Sequence, residues 1–107
     1  MQVAIGHKGK TALTVETKGE AGHSALAPNF VNAINKAAQF VRAMEALQAT
    51  LAQGPQDPDY AIPYTTVHIG TIQGGRAVNI VPDSAVMKME IRALPQLSAE
   101  DLSLIHI

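Results

Sequence analysis

The chain has no cysteine and no tryptophan, only two Phe and two Tyr, and no apolar run of membrane-spanning length. The missing thiols remove disulfides, thiolate metal sites and cysteine nucleophiles together, and are compatible with a reducing compartment. No stretch approaches the roughly 18 apolar residues that a transmembrane helix needs. The opening Met1–Ile5 has neither the charged n-region nor the long h-region of a secretory signal. An excess of one charge is lacking too: eight Lys and Arg stand against nine Asp and Glu, a formal net charge of −1. That balance gives no reason to expect nucleic acid or an anionic membrane surface as partner. What remains is ordinary globular composition, 47% hydrophobic over 107 residues, enough for one small domain. A soluble, cytoplasmic domain is the expectation.

Periodicity alternates along the chain. Lys10–Lys18 reads as a strand, with Thr11, Leu13, Val15 and Thr17 on one face and Lys10, Ala12, Thr14 and Glu16 on the other. A glycine-bounded loop over 19–29 follows, with Asn29 as a plausible N-cap. From about Phe30 to Gln53 the spacing of Phe30, Ile34, Ala37, Val41, Met44, Leu47 and Leu51 predicts a helix with one buried stripe. Ala33, Ala38 and Ala46 add small residues beside that stripe, where another helix has room to approach. Gly54-Pro55 ends the helix and a polar connector runs to Pro63. Tyr64–Ile72 and Ala85–Arg92 read as two further strands, and Ser98–Asp101 as the start of a second helix.

The order β–α–β–β–(α) is the beginning of a ferredoxin-like α+β unit, an antiparallel sheet with its helices on one face. Its spatial strand order would be 4-1-3-2, so without a fourth strand Lys10–Lys18 is left as a raw edge. The pattern breaks off before the second helix and fourth strand are complete. The ending, residues 102–107, offers neither helical stripe nor stop signal and does not read as native sequence.

Two segments carry candidate chemistry. Gly19-Glu20-Ala21-Gly22-His23-Ser24 places a histidine and a serine in a tight loop between strand and helix. His23 is either a ligand-facing proton donor or acceptor, or a turn residue. Ser24 has no Gly-x-Ser-x-Gly elbow around it, so a hydroxyl satisfying the loop backbone is the better reading. Gly74-Gly75-Arg76-Ala77-Val78-Asn79-Ile80-Val81-Pro82 is a glycine turn leading into an apolar run. It lacks the spacing of a phosphate loop. Asn79 either caps that turn or presents its amide outward. Arg92, on the polar face of its strand with Lys88 and Glu90, is either a surface charge or a fork for a carboxylate. His7, His68 and His106 are scattered without metal-ligand spacing, and Met87 and Met89 are ordinary strand packing.

Taken in order, GHKGKTALTVETKGEAGHSALAP, VNAINKAAQFV, YTTVHIGTIQGGRAVNIVP and MEIRALP resemble the small inserted domain of the M20 family of zinc-dependent metallopeptidases and amidohydrolases. The likeness covers residues 5 to about 97. It implies a dimerisation and lid domain inserted in a larger catalytic domain that holds two zinc ions. None of that domain's His-x-Asp, Glu-Glu or Asp-x-Lys-Gly motifs is in this chain, so no metal ligands and no catalysis are expected of it alone. The resemblance further implies a homodimer, through the helix 30–53 and the strand 64–72, acting on an N-acyl amino acid. His23 matches the loop histidine that reaches the other subunit's active site to steady the oxyanion. Gly75 and Asn79 match substrate-contacting positions, and Arg92 matches the arginine that binds the substrate's free carboxylate. The alternative is a free-standing ferredoxin-like module that binds a small ligand or partner without chemistry; such a module has no use for His23 and Arg92 near one another in a polar cleft.

Overall fold

A computed structural model describes residues 9–95. The starting helix at Ser98–Asp101 and the ending 102–107 lie outside the described residues. The elements, in order, are β1 (Gly9–Lys18), β2 (Gly22–His23), a 3-10 turn (Ser24–Asn29), α1 (Ala33–Leu51), β3 (Thr66–Gly74), β4 (Ile80–Val81) and β5 (Ser84–Ala93). The three long strands form an antiparallel sheet in the order β1-β5-β3, with a helix packed on it. That is the 1-3-2 part of the ferredoxin-like order, so the α+β expectation holds. A separate two-stranded sheet joins β2 to β4. No helix among the described residues is long and apolar enough to cross a membrane.

The backbone groups into two compact units, Leu13–Arg42 with Ile69–Met89, and residues 9–12 with Ala43–His68 and residues 90–95. In the first, Ala33, Ala37, Ala85 and Met87 form a fully buried cluster with Val15, Phe40, Val41 and Ile69 packed against it. The alanines let helix backbone come close to the strands, and that close approach sets the helix's rotation. The stripe is therefore not centred where periodicity put it. Ala33, expected beside the stripe, is at its heart, while Ile34 is 40% exposed. Ala38 and Ala46 are exposed, as small residues on an outer face would be.

The helix begins at Ala33 rather than Phe30. Phe30 is extended (φ −123°, ψ 165°), and the Val31 carbonyl accepts from the Glu20 N–H at 2.8 Å, so neither belongs to a helical turn. The cap is Asn32, not Asn29: its Oδ1 accepts from Asn35 N–H at 3.0 Å and its carbonyl from Lys36 N–H at 3.2 Å. Asn29 instead closes the 3-10 turn. At the other end the helix stops at Leu51, where Gln53 and Gly54 N–H groups tighten onto the carbonyls of Thr50 and Leu51 at 3.0 Å each.

In the second unit, Gln48 does what a neighbouring strand would do. Its Nε2 donates to the Thr65 carbonyl at 3.1 Å and its Oε1 accepts from Val67 N–H at 2.8 Å. Thr65 is buried, and its Oγ1 takes the Leu94 N–H at 3.1 Å. One amide side chain thus satisfies the start of edge strand β3, which would otherwise hold unpaired backbone groups. β3 itself starts at Thr66 and runs to Gly74, two residues later at each end than the pattern predicts. Tyr64 and Thr65 are spent on the lead-in.

Candidate functional site

His23 lies at the end of a strand too short for periodicity to reveal. Gly22 faces Val81 and His23 faces Ile80 in the antiparallel β2–β4 pair. Gly22 is required there because a Cβ would run into the Phe30 ring. His23 is extended (φ −67°, ψ 137°) and caps the 3-10 turn: its Nδ1 accepts from Ala25 N–H at 3.0 Å. That bond fixes the neutral tautomer. With Nδ1 occupied as acceptor, the proton is on Nε2, and the exposed imidazole presents an N–H donor outward.

The second glycine segment meets this loop through backbone. Ser24 N–H donates to the Asn79 carbonyl at 2.9 Å, and Ile80 N–H to the Ala77 carbonyl at 3.2 Å. Gly75 takes φ +86°, a left-handed conformation that lets the chain reverse into this turn. Asn79 spends its main chain, not its side chain, on the turn. Among the described residues its exposed amide has no hydrogen-bond partner. Beside the β2–β4 pair is a largely apolar cleft of about 250 Å³, walled by Ser24, Asn32, Ile34, Gly75, Val78 and Ile80 among others. The structure therefore brings the backbones of His23 and Asn79 together, and Gly75 lines the cleft with Ile80, while His23 and Asn79 are not among the lining residues. Ser24 also lines the cleft.

Arg92 belongs to the other unit. Its Nε donates to Glu90 Oε1 at 3.0 Å, and Lys10 Nζ lies 3.7 Å from Glu90 Oε2. The Arg92 hydrogen bond is the largest influence on the Glu90 carboxyl and, against the opposing effect of burial that comes next, holds it below the ordinary carboxylate range, with the charges of Arg92 and Lys10 as smaller contributions. Around Glu16 a similar network forms, with Ser84 Oγ donating at 2.8 Å and Lys18 Nζ at 3.1 Å. Among the described residues no three His, Asp or Glu side chains gather to hold a metal. These residues do not fit a zinc ion, and no step of the chemistry runs through one here.

Sequence reasoning missed Asn32 and Gln48. The Asn32-x-x-Asn35 spacing was a usable cap signal. Gln48 had none, because a polar residue on a helix ordinarily reads as solvated.

A β-α-β-β core carries a histidine-bearing loop and an exposed arginine on its sheet. The chain belongs to the peptidase dimerisation domain family of M20 enzymes, whose model matches residues 5–103. It is 35% identical over 97 residues to acetylornithine deacetylase of Myxococcus xanthus, covering 91% of this chain and 26% of that protein. Acetylornithine deacetylase of Yersinia pestis is 34% identical over 103 residues, 96% of this chain and 26% of the relative. A tripeptidase of Staphylococcus aureus shares the fold, with TM-score 0.59 at 23% identity over 89% of this chain and 21% of its own. The chain thus spans about a quarter of the length of the curated relatives it matches.

Proposed function

We propose that this domain is the dimerisation and lid domain of a cytoplasmic, zinc-dependent amidohydrolase that removes the acyl group from N-acyl amino acids. N-acetylornithine is the favoured substrate, because deacetylases of that compound are among the similar relatives. The metal, two zinc ions in this reading, belongs to a catalytic domain outside this chain. The observation that carries the reading is the His23 geometry. An imidazole whose Nδ1 is occupied by Ala25 N–H can offer only Nε2–H, and a fixed N–H donor suits the oxygen of a scissile amide as negative charge develops on it. The Asn79 amide, unengaged among the described residues and carried by the residue whose carbonyl takes the Ser24 N–H, suits a second contact to the same substrate, with Gly75 shaping the turn. Arg92 offers a planar fork for the free carboxylate.

The dimer forms through β3 and the outer face of α1. β3 is an edge of the sheet, and Ile72 on it is 52% exposed. Pairing two such edges across a twofold axis continues the sheet and removes both raw edges. Assay of the full-length protein against a panel of N-acyl amino acids and short peptides tests the reading. It expects turnover of acetylated amino acids, N-acetylornithine foremost, and none by the isolated domain. Turnover of peptides alone would overturn the substrate assignment.

A further inference from the structure

The role proposed for Arg92 leaves Glu90 without one. An acid two residues away on the same strand face would ordinarily compete with an incoming carboxylate for the guanidinium. The contacts show a different arrangement. Glu90 takes only the Nε–H of Arg92, through Oε1 at 3.0 Å, and its other oxygen faces Lys10 Nζ at 3.7 Å. Among the described residues the two Nη groups of Arg92 have no partner. A guanidinium held at Nε keeps its end-on edge, the Nη1/Nη2 pair, open for bidentate bonding. One carboxylate set between two cations also leaves a net positive charge at the site. Lys10 and Arg92 outweigh Glu90, and the charge of Lys10 together with the Arg92 bond keeps Glu90 ionised. A freely rotating arginine must lose several torsions to grip an anion, whereas one already tethered at Nε loses fewer.

We infer that Glu90 is a positioning residue: it holds Arg92 by Nε so that the two Nη groups face a substrate carboxylate. This rests on the reading of Arg92 as the carboxylate ligand, and the test separates the two. In the full-length enzyme, wild type, Arg92→Ala, Glu90→Ala and Glu90→Gln are assayed with an N-acetyl amino acid and with its carboxamide, which lacks the negative charge. Arg92→Ala is expected to abolish the preference for the carboxylate substrate. Glu90→Ala is expected to raise KM for that substrate about tenfold with kcat within about twofold, and to leave KM for the carboxamide unchanged. Glu90→Gln keeps an oxygen acceptor for Nε–H and should lose no more than about threefold. Adding Glu90→Ala to Arg92→Ala should cost nothing more. If Arg92→Ala leaves the carboxylate preference intact, the reading of Arg92 falls. If Arg92→Ala abolishes it while Glu90→Ala does not weaken it, or raises KM for both substrates equally, the inference about Glu90 falls and Arg92 stands.

Discussion

Replacing His23 by asparagine separates two jobs that a single imidazole performs. Nδ1 caps the 3-10 turn by accepting from Ala25 N–H at 3.0 Å, and Nε2 offers the outward donor. Asparagine places Oδ1 about where Nδ1 is, and is among the best capping residues, but has nothing at the position of Nε2. Alanine loses both. A full helix cap is worth about 0.5–2 kcal/mol, and this one closes an exposed six-residue turn, so about 0.5–1 kcal/mol is the reasonable share. A lost oxyanion donor costs roughly 10²–10³ in kcat, about 2.7–4 kcal/mol of barrier. In the full-length enzyme His23→Asn should therefore lose kcat by roughly 10²–10³-fold with KM little changed. Its Ala25 amide should stay as protected from hydrogen exchange as in wild type. His23→Ala should lose the same activity and also expose the Ala25 amide. An asparagine variant within about threefold of wild-type kcat would reduce His23 to a turn residue and end the oxyanion argument.

Other consequences follow from the fold. Gln48→Leu leaves the Thr65 carbonyl and Val67 N–H without partners, and should lower stability by about 2 kcal/mol in urea unfolding, with Gln48→Glu losing less; a change under about 0.5 kcal/mol would refute the bridging role. Glu16 is held below its ordinary range by the Ser84 hydrogen bond first and Lys18 second, so its contribution is present above the unfolded-state value and lost as pH falls through the folded one. Accordingly the stability advantage of wild type over Glu16→Gln should shrink as pH falls below the ordinary glutamate value of about 4.3, and an advantage that grows on acidification would contradict it. N–H groups alternate along a strand, so Thr71 N–H shares the side of Val67 N–H, which Gln48 rather than β5 engages. Thr71→Pro should then abolish the dimer in light scattering while far-UV circular dichroism keeps the sheet; a dimer that survives unchanged would move the interface away from β3.

What the sequence made legible were the elements with a period. β1 and β5 alternate over ten residues each and were placed within a residue at either end. The strand order follows from the motif they spell. The illegible parts are those that tertiary contact decides. Two residues, Gly22 and His23, cannot show an alternation, yet they form the strand that holds the candidate histidine. The phase of α1 is fixed by the closeness that Ala33 and Ala37 permit, and a hydrophobicity pattern weights Ile34 above either. Of the candidate residues, His23, Gly75 and Asn79 stood out only through the resemblance to the family's motifs, because histidine, glycine and asparagine in short loops also have ordinary turn roles, which His23 and Gly75 do fill here. Glu90 was seen only as a charge beside Arg92, and its hold on Nε needed coordinates.

The central claim, that His23 serves the active site of the partner subunit, is tested most directly by mixing two inactive enzymes. One carries His23→Ala, the other an inactivated zinc site in the catalytic domain. Each homodimer lacks one half of both sites, but a heterodimer joins an intact zinc site to the His23 of its mate. After equal amounts have exchanged subunits at random, half the dimers are heterodimers with one working site each, so activity should return to about one quarter of wild type. Mixtures shown to exchange yet recovering nothing would contradict the account.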